Sequence, residues 1–162
     1  MLGLLFSLQS CNSDDDNGND TIEFDVTGSC NDLEIINFNI TNVETIPPVH
    51  DPYEYYQIDY SFDVINNGSE TITIDDGSVT VQSYLSTDNI LSNDDQAAAG
   101  VLSPLASIAS GETITDIEWL ANSIGFDEDA LEIDGYYLLV EVEFDYNDDT
   151  CSMVISHQLD LE

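Results

Sequence analysis

The sequence predicts an all-β domain, namely an immunoglobulin-like antiparallel β-sandwich of roughly seven strands with Greek-key connections. Apolar residues alternate with polar or acidic ones along short segments, most clearly at residues 56–64 and 136–146. Turn residues separate these segments. The helical signals are short and weak, at residues 94–99 and 127–131. Each strand is therefore expected to bury one face and expose the other.

The remaining strands follow from the same alternation. We expect them at residues 33–40, 71–74, 79–85, 113–120 and 153–161. The Asn-Asn-Gly-Ser sequence at 66–69 and the Asp-Asp-Gly-Ser sequence at 75–78 are typical turns, because Asn, Asp and Gly tolerate positive φ. A single domain over residues 22–162 is long enough to bury a hydrophobic core.

The first 21 residues predict a lipid anchor and a tether. Residues 1–10 are mostly apolar and suit the remnant of a signal peptide, and Leu8-Gln9-Ser10-Cys11 resembles the lipobox of bacterial lipoproteins. This resemblance implies lipidation of Cys11, although the usual basic residues do not precede the apolar run. Residues 11–21 are acidic and polar, as in a flexible tether and in the export signals of Bacteroidetes-type surface lipoproteins. The alternative is an N-terminal strand with a buried Cys11.

The charge of the chain excludes several functions. It contains 34 Asp and Glu residues but no Lys or Arg, so its formal net charge is −34. Nucleic-acid binding is excluded because phosphates need cationic partners. Enzymes that depend on a Lys nucleophile or an Arg clamp are excluded because the chain has neither residue. Salt and divalent cations are expected to stabilise the fold by screening its repulsion.

Four segments, in order along the chain, resemble the CARDB family (cell-adhesion-related domain found in bacteria). They are residues 60–69 with Asn66-Asn67-Gly68-Ser69, residues 81–88 with Tyr84-Leu85-Ser86-Thr87-Asp88, residues 105–113 with Ser110-Gly111-Glu112-Thr113, and residues 135–140. The resemblance covers about residues 33–148 and implies an immunoglobulin-like fold with an adhesive or spacer role. It departs from the family at residues 148–151, where Asp148-Asp149-Thr150-Cys151 replaces the usual ending.

The cysteines predict one disulfide. If Cys11 carries lipid, then Cys30 and Cys151 remain as an even pair in an oxidising compartment, which favours a bond between them. In the chain-entropy model, such a bond would stabilise the fold by about 4–5 kcal/mol. Two unpaired thiols are the alternative. Zinc is disfavoured because neither Cys has a partner at ligand spacing.

No motif in the sequence indicates catalysis, so we expect a protein that is not an enzyme. His50 and His157 are the only histidines, and neither belongs to a nucleophile–base arrangement. Calcium is the candidate cofactor, since carboxylate and amide oxygens crowd one loop. The alternative is a solvated acidic loop. The candidate calcium ligands are Asp88, Asn93, Asp94 and Asp95, and the candidate ligand-stacking residues are Tyr53 and Tyr55.

Together these features predict a cell-surface lipoprotein of an outer membrane, bound to the membrane only through its lipid. Its expected function is binding, adhesion or spacing, with a surface glycan or a protein as partner. Two alternatives remain open. One is a filament subunit that exchanges strands with its neighbours, and the other is a calcium-dependent carbohydrate-binding module.

Overall fold

The computed structural model describes residues 23–46, 55–98, 100–120, 124–125 and 135–160. These residues form twelve strands, and every strand pair is antiparallel. Helical geometry among them is confined to one short turn of 3-10 helix at Asp75–Gly77. The prediction of an antiparallel all-β protein is therefore confirmed.

The strands in chain order are β1 (Asp25–Gly28), β2 (Leu33–Ile46), β3 (Tyr55–Asn66), β4 (Ile72–Thr73), β5 (Ser78–Ser86), β6 (Gln96–Ala97), β7 (Val101–Pro104), β8 (Ser107–Ile108), β9 (Thr113–Leu120), β10 (Ile124–Gly125), β11 (Tyr137–Tyr146) and β12 (Asp149–Gln158). The larger sheet has the order β1-β12-β11-β5-β6, and β7 also pairs with β5. The smaller sheet has the order β10-β3-β2, with β9 also paired to β3, while β4 and β8 form a separate pair.

Side chains from both sheets meet in one hydrophobic core. The hydroxyl groups of Tyr60 on β3 and Ser83 on β5 lie 2.8 Å apart. The ring of Phe38 on β2 lies 5.8 Å, between centroids, from the ring of His157 on β12. The predicted inward residues of β11 are fully buried, with Leu138, Val140, Val142 and Phe144 all at 0% exposure. Burial of such side chains supplies the main stabilising free energy of the fold.

Asn66 at the end of β3 connects two loops from inside the protein. Its side chain is fully buried, and its Nδ2 donates to the carbonyl oxygens of Glu70 (2.9 Å) and Ile108 (3.0 Å). Its Oδ1 accepts from the backbone N–H of Gly68 at 2.9 Å. Its backbone N–H donates to the Glu112 carbonyl at 3.0 Å. Residues 60–69 and residues 105–113 therefore meet at this corner.

The predicted bond between Cys30 and Cys151 is present in the structure. Cys30 lies between β1 and β2, so it marks the point where the chain passes from the larger sheet to the smaller one. Cys151 lies inside β12 rather than before it, since this strand begins at Asp149. The bond closes a sequence separation of 121 residues and attaches the end of β1 to β12, the strand with which β1 pairs.

The structure differs from the local expectations in two places. The strand expected at residues 33–40 continues to Ile46. Two β-bulges shift its register against β3, between Ile36 and Asn39 and between Ile40 and Asn42. A bulge interrupts the alternation on which the prediction was based. The weak helical signal at residues 94–99 does not produce a helix, because Gln96 and Ala97 form the short strand β6, whose pairing with β5 overrides local propensity. The helical signal at 127–131 lies outside the described residues.

The buried amide of Asn66 leads to a prediction about stability. Asn66→Ala would remove the side-chain partner of the buried Ile108 carbonyl and those of the part-buried Glu70 carbonyl and Gly68 N–H, so we expect the free energy of unfolding to fall by about 2–3 kcal/mol. Asn67→Ala is the matched control, because the exposed Asn67 side chain donates to the Glu34 carboxylate at 2.7 Å and the substitution keeps its backbone N–H. Urea denaturation of both variants measures the difference. Equal losses in the two variants would contradict this role for Asn66.

The buried phenol of Tyr60 predicts a loss of stability at alkaline pH. Burial raises its pKa above the usual value of 10.0, and the hydrogen bond with Ser83 opposes this only in part. Below about pH 10 the phenol is protonated in both states. Above that pH only the unfolded state releases the proton, so the free energy of unfolding falls by up to about 1.4 kcal/mol per pH unit. Urea denaturation between pH 9 and pH 11 should show a shallower decline for Tyr60→Phe, and parallel curves would contradict the prediction.

Candidate functional site

The outer face of the larger sheet, opposite the core, is covered at one end. Leu139 lies between Leu138 and Val140, whose side chains point into the core. Since side chains alternate along a strand, Leu139 points to the outer face, beside its paired residues Ser156 and Tyr84. It is nevertheless fully buried. Its paired neighbour Ser156 is only 5% exposed. An outward-facing apolar side chain that is fully buried indicates that other residues pack over this part of the sheet.

The loop of residues 87–95, between β5 and β6, extends along this covered end. Asn89 shares a cavity with Ser156 and Tyr137, and Leu91 shares another with Tyr84 and Glu141. Hydrogen bonds within the loop hold it in turns, because its own carboxylates accept backbone N–H groups. Asp88 Oδ1 accepts from Ile90 at 2.9 Å, and Asp95 Oδ2 accepts from Ser92 at 2.6 Å.

One cavity beside this loop, the corner cavity, has a volume of about 510 Å³ and lies where β1, β12 and β11 meet. Strand register places Asp25 directly opposite Ser156, and Tyr137 directly opposite Gln158. Pockets of about 300–1,000 Å³ are typical of small-ligand sites. The lining residues are Glu23, Phe24, Asp25, Asn89, Tyr137, Ser156 and Gln158.

Ser156 is the unusual residue of the corner cavity. Among the buried polar side chains of the described residues, those of Asn66, Ser83 and Ser86 all take part in hydrogen bonds. The Ser156 hydroxyl has no hydrogen-bond partner within the described part of the chain. Buried polar groups are nearly always paired, so an unpaired hydroxyl on a cavity wall is a candidate contact for a ligand.

The four predicted calcium ligands lie on the same loop but line two different cavities. Asp88, Asp94 and Asp95 line one of about 340 Å³, whereas Asn93 lines another of about 540 Å³ together with Asp95. Within the described ranges, no group of three or more His, Cys, Asp or Glu side chains is arranged to hold a metal ion. The structure therefore gives the calcium site no added support, and it remains a prediction.

Tyr84 and Glu141 form a hydrogen-bonded pair on the outer face. The Tyr84 hydroxyl donates to Oε2 of Glu141 at 3.2 Å. The pKa of Tyr84 is raised, first by its partial burial and then by the negative charge of Glu141. The phenol therefore stays protonated at neutral pH and serves as a neutral donor to a carboxylate. Without Lys or Arg, donors of this kind replace the cations of ordinary ion pairs.

Several predicted site residues lie beyond the described ranges. Cys11 and Tyr53 are outside them, as is the histidine His50, and Tyr55 belongs to β3 although its side chain is not described. His157 is described, and its Nδ1 lies 2.8 Å from the carbonyl oxygen of Glu23. The corner cavity could not be predicted from the sequence, because its walls are assembled by pairing between the two ends of the chain. No local motif carries that signal.

No protein-family model matches this chain, and the search of curated proteins found no match either. Within the described residues, no helix has both the length and the apolar character needed to cross a membrane.

The net charge of −34 predicts that salt stabilises the fold. Between about 0.01 M and about 1 M salt the Debye length falls from about 30 Å to about 3 Å, which removes most of the repulsion between exposed carboxylates. We expect the melting temperature to rise by several degrees over this range of NaCl, measured by circular dichroism. A melting temperature that is independent of NaCl would contradict the prediction.

The calcium site requires a further, specific effect. If Asp88, Asn93, Asp94 and Asp95 hold Ca²⁺, then CaCl₂ will raise the melting temperature more than MgCl₂ at the same concentration, because the larger ion accepts irregular oxygen ligands. Asp95→Asn should abolish that excess. Equal effects of the two salts on the wild-type protein would dispose of the site.

Proposed function

We propose that this protein is a non-catalytic binding module displayed on a bacterial cell surface. In this proposal the folded domain is an immunoglobulin-like β-sandwich, and a lipid on Cys11 holds it at the outer membrane. The observation that carries the binding role is the covered outer face, where Asn89 of the loop 87–95, Asp25 of β1 and residues of β11 and β12 line a ligand-sized cavity. Loops and strand ends positioned by a rigid scaffold are common places for recognition.

The strand order supports an immunoglobulin-like sandwich. One group contains β2, β3 and β9, and the other contains β12, β11, β5 and the short strands β6 and β7. The chain passes between the groups from β3 to β5, from β7 to β9 and from β9 to β11. A three-plus-four arrangement with such crossings is typical of Greek-key sandwiches. The strand β1 is then an additional edge strand on the larger sheet.

The disulfide supports a lipid on Cys11. The chain has three Cys residues, and Cys30 and Cys151 are bonded to each other. Cys11 is therefore the odd thiol, at the end of the apolar stretch and followed directly by the acidic segment. An extracytoplasmic protein with an internal disulfide is the expected setting for lipidation of such a residue.

The contacts of His157 and Cys30 weigh against the other readings. His157 is engaged by the Glu23 carbonyl and packs on Phe38, so it is not poised to act as a general base. Exchange of β1 between molecules, as in a filament subunit, would have to separate it from β12. The bond from Cys30 to Cys151 holds the end of β1 beside that strand and opposes the exchange.

The lipid anchor leads to a testable prediction. Protein extracted from the native membranes should begin at Cys11, and its intact mass should include a diacylglyceryl group, because the lipobox cysteine becomes the first mature residue. Cys11→Ser should remove the lipid and release the protein from the membrane. The double variant Cys30→Ser with Cys151→Ser is the matched control and should keep the lipid. Digestion of intact cells with an added protease should degrade the wild-type protein.

Two results would contradict the proposal. One is an unmodified Cys11 in the native protein. The other is a lipid-bearing protein that the added protease reaches only after the cells are broken.

A further inference from the structure

We propose that the corner cavity binds a primary ammonium group, carried either by a small amine or by a Lys side chain of a partner protein. This inference rests on the proposed binding function and deepens it, because it names the site and the chemistry of the ligand. It is carried by two independent observations: a pair of carboxylates on the cavity wall, and a buried hydroxyl beside them that has no partner in the described part of the chain.

The register of β1 against β12 sets the geometry of the site. Asp25 is paired directly with Ser156, and both line the cavity. The Cβ atoms of directly paired residues lie about 4.5–5.5 Å apart, so one ammonium can donate to the carboxylate and to the hydroxyl oxygen together. Ser156 is 5% exposed, and its backbone belongs to a strand paired on both sides. Its hydroxyl is therefore placed without any adjustment of the backbone.

Glu23 contributes the second carboxylate. The contact between its carbonyl oxygen and Nδ1 of His157 fixes the backbone beside β12, two residues before Asp25. Both carboxylates line the cavity, and neither has a hydrogen-bond partner among the described residues. An ammonium group has three N–H donors, which matches the acceptors of Glu23, Asp25 and Ser156. Tyr137 lines the same cavity, and a tyrosine ring attracts a cation that lies over its face.

Electrostatics selects the class of ligand. The chain has no Lys or Arg to compensate a bound anion, so an anionic ligand would be repelled by the two carboxylates and by the net charge of −34. A neutral sugar would gain nothing from this field. A cationic ligand is concentrated near the surface by the long-range potential and is then held by short-range contacts. The described residues contain no metal-type cluster of three His, Cys, Asp or Glu, which favours an organic cation over a metal ion.

The test uses the full-length protein in low salt, with isothermal titration calorimetry and 1,5-diaminopentane as the probe. We expect saturable binding that weakens as NaCl is added, and no binding of 1,5-pentanediol, which has the same length but no charge. Ser156→Ala should weaken the binding about tenfold, since it removes a hydrogen bond to a charged group. Ser152→Ala is the matched control, on the same strand and the same face, four residues away.

A second variant covers the possibility that Ser156→Ala disturbs the fold. Asp25 is exposed on an edge strand, so Asp25→Asn is expected to leave the melting temperature unchanged while it weakens the binding at least tenfold. Asp149→Asn removes the same charge at the opposite end of β12 and should bind as the wild type does. Nα-acetyl-lysine amide provides a second arm. Tighter binding of this compound indicates a protein Lys as the natural ligand, and tighter binding of the diamine indicates a free amine.

Three outcomes would overturn the inference: equal affinities of the Asp25→Asn and Asp149→Asn proteins, equal binding of the diol and the diamine, or no saturable binding of either amine. The first would show that charge alone attracts the amine, without a built site. If the protein carries lipid and is exposed on the cell surface but does not bind amines, the amine site is refuted and the proposed function is not. If the protein binds amines but carries no lipid, the proposed surface function is refuted and the amine site is not. The two failures are therefore distinguishable.

Discussion

The constraint on which the structure depends is that its carboxylates have no cationic side chains as partners other than histidine. Neutral N–H and O–H groups donate hydrogen bonds to the carboxylates instead. Asn37 donates to Asp63 at 2.7 Å across the bulged part of β2, and the Asp148 backbone N–H donates to Asp75 at 3.0 Å. Such bonds to a charged acceptor are stronger than neutral ones and require no opposite charge. They satisfy individual carboxylates, but they leave the net charge uncompensated.

The stability of the fold must therefore come from apolar burial and covalent closure rather than from ion pairs. The inward faces of β11 and β12 are buried almost completely, and the Tyr60–Ser83 contact joins the two sheets inside the core. The disulfide reduces the entropy of the unfolded chain across most of the domain. This combination tolerates repulsion at the surface, because neither hydrophobic burial nor a covalent bond depends on the sign of the surface charge.

Much of the fold could be predicted because alternation is a local signal. The strand expected at 113–120 coincides with β9, and those expected at 56–64 and 136–146 differ from β3 and β11 by one or two residues. The bulges in β2 could not be predicted, since Asn37 has a φ of 55° in a bulge without a register partner in β3, where its side chain donates to Asp63 instead. The burial of Leu139 could not be predicted either, because a loop that packs over a sheet leaves no periodic pattern in the sequence.

The candidate site shows a sharper limit. The acidic loop was found from composition alone, whereas the pairing of Asp25 with Ser156 joins residues from the two ends of the chain. Only the register of β1 on β12 brings them together. The bond between Cys30 and Cys151 helps to hold this register. The close approach of the two strands also requires a glycine at position 28, because a Cβ there would lie 2.5 Å from the Ser152 carbonyl oxygen.

The same attachment determines how the domain responds to mechanical load. A pulling force applied at the N-terminus acts first on β1, a four-residue edge strand whose residues are all exposed. Once β1 has peeled away, the load reaches Cys30 and passes through the covalent bond into β12, which is paired with β11 along its whole length. Tension would therefore dismantle the corner cavity, whose wall includes Asp25, while the core stays folded.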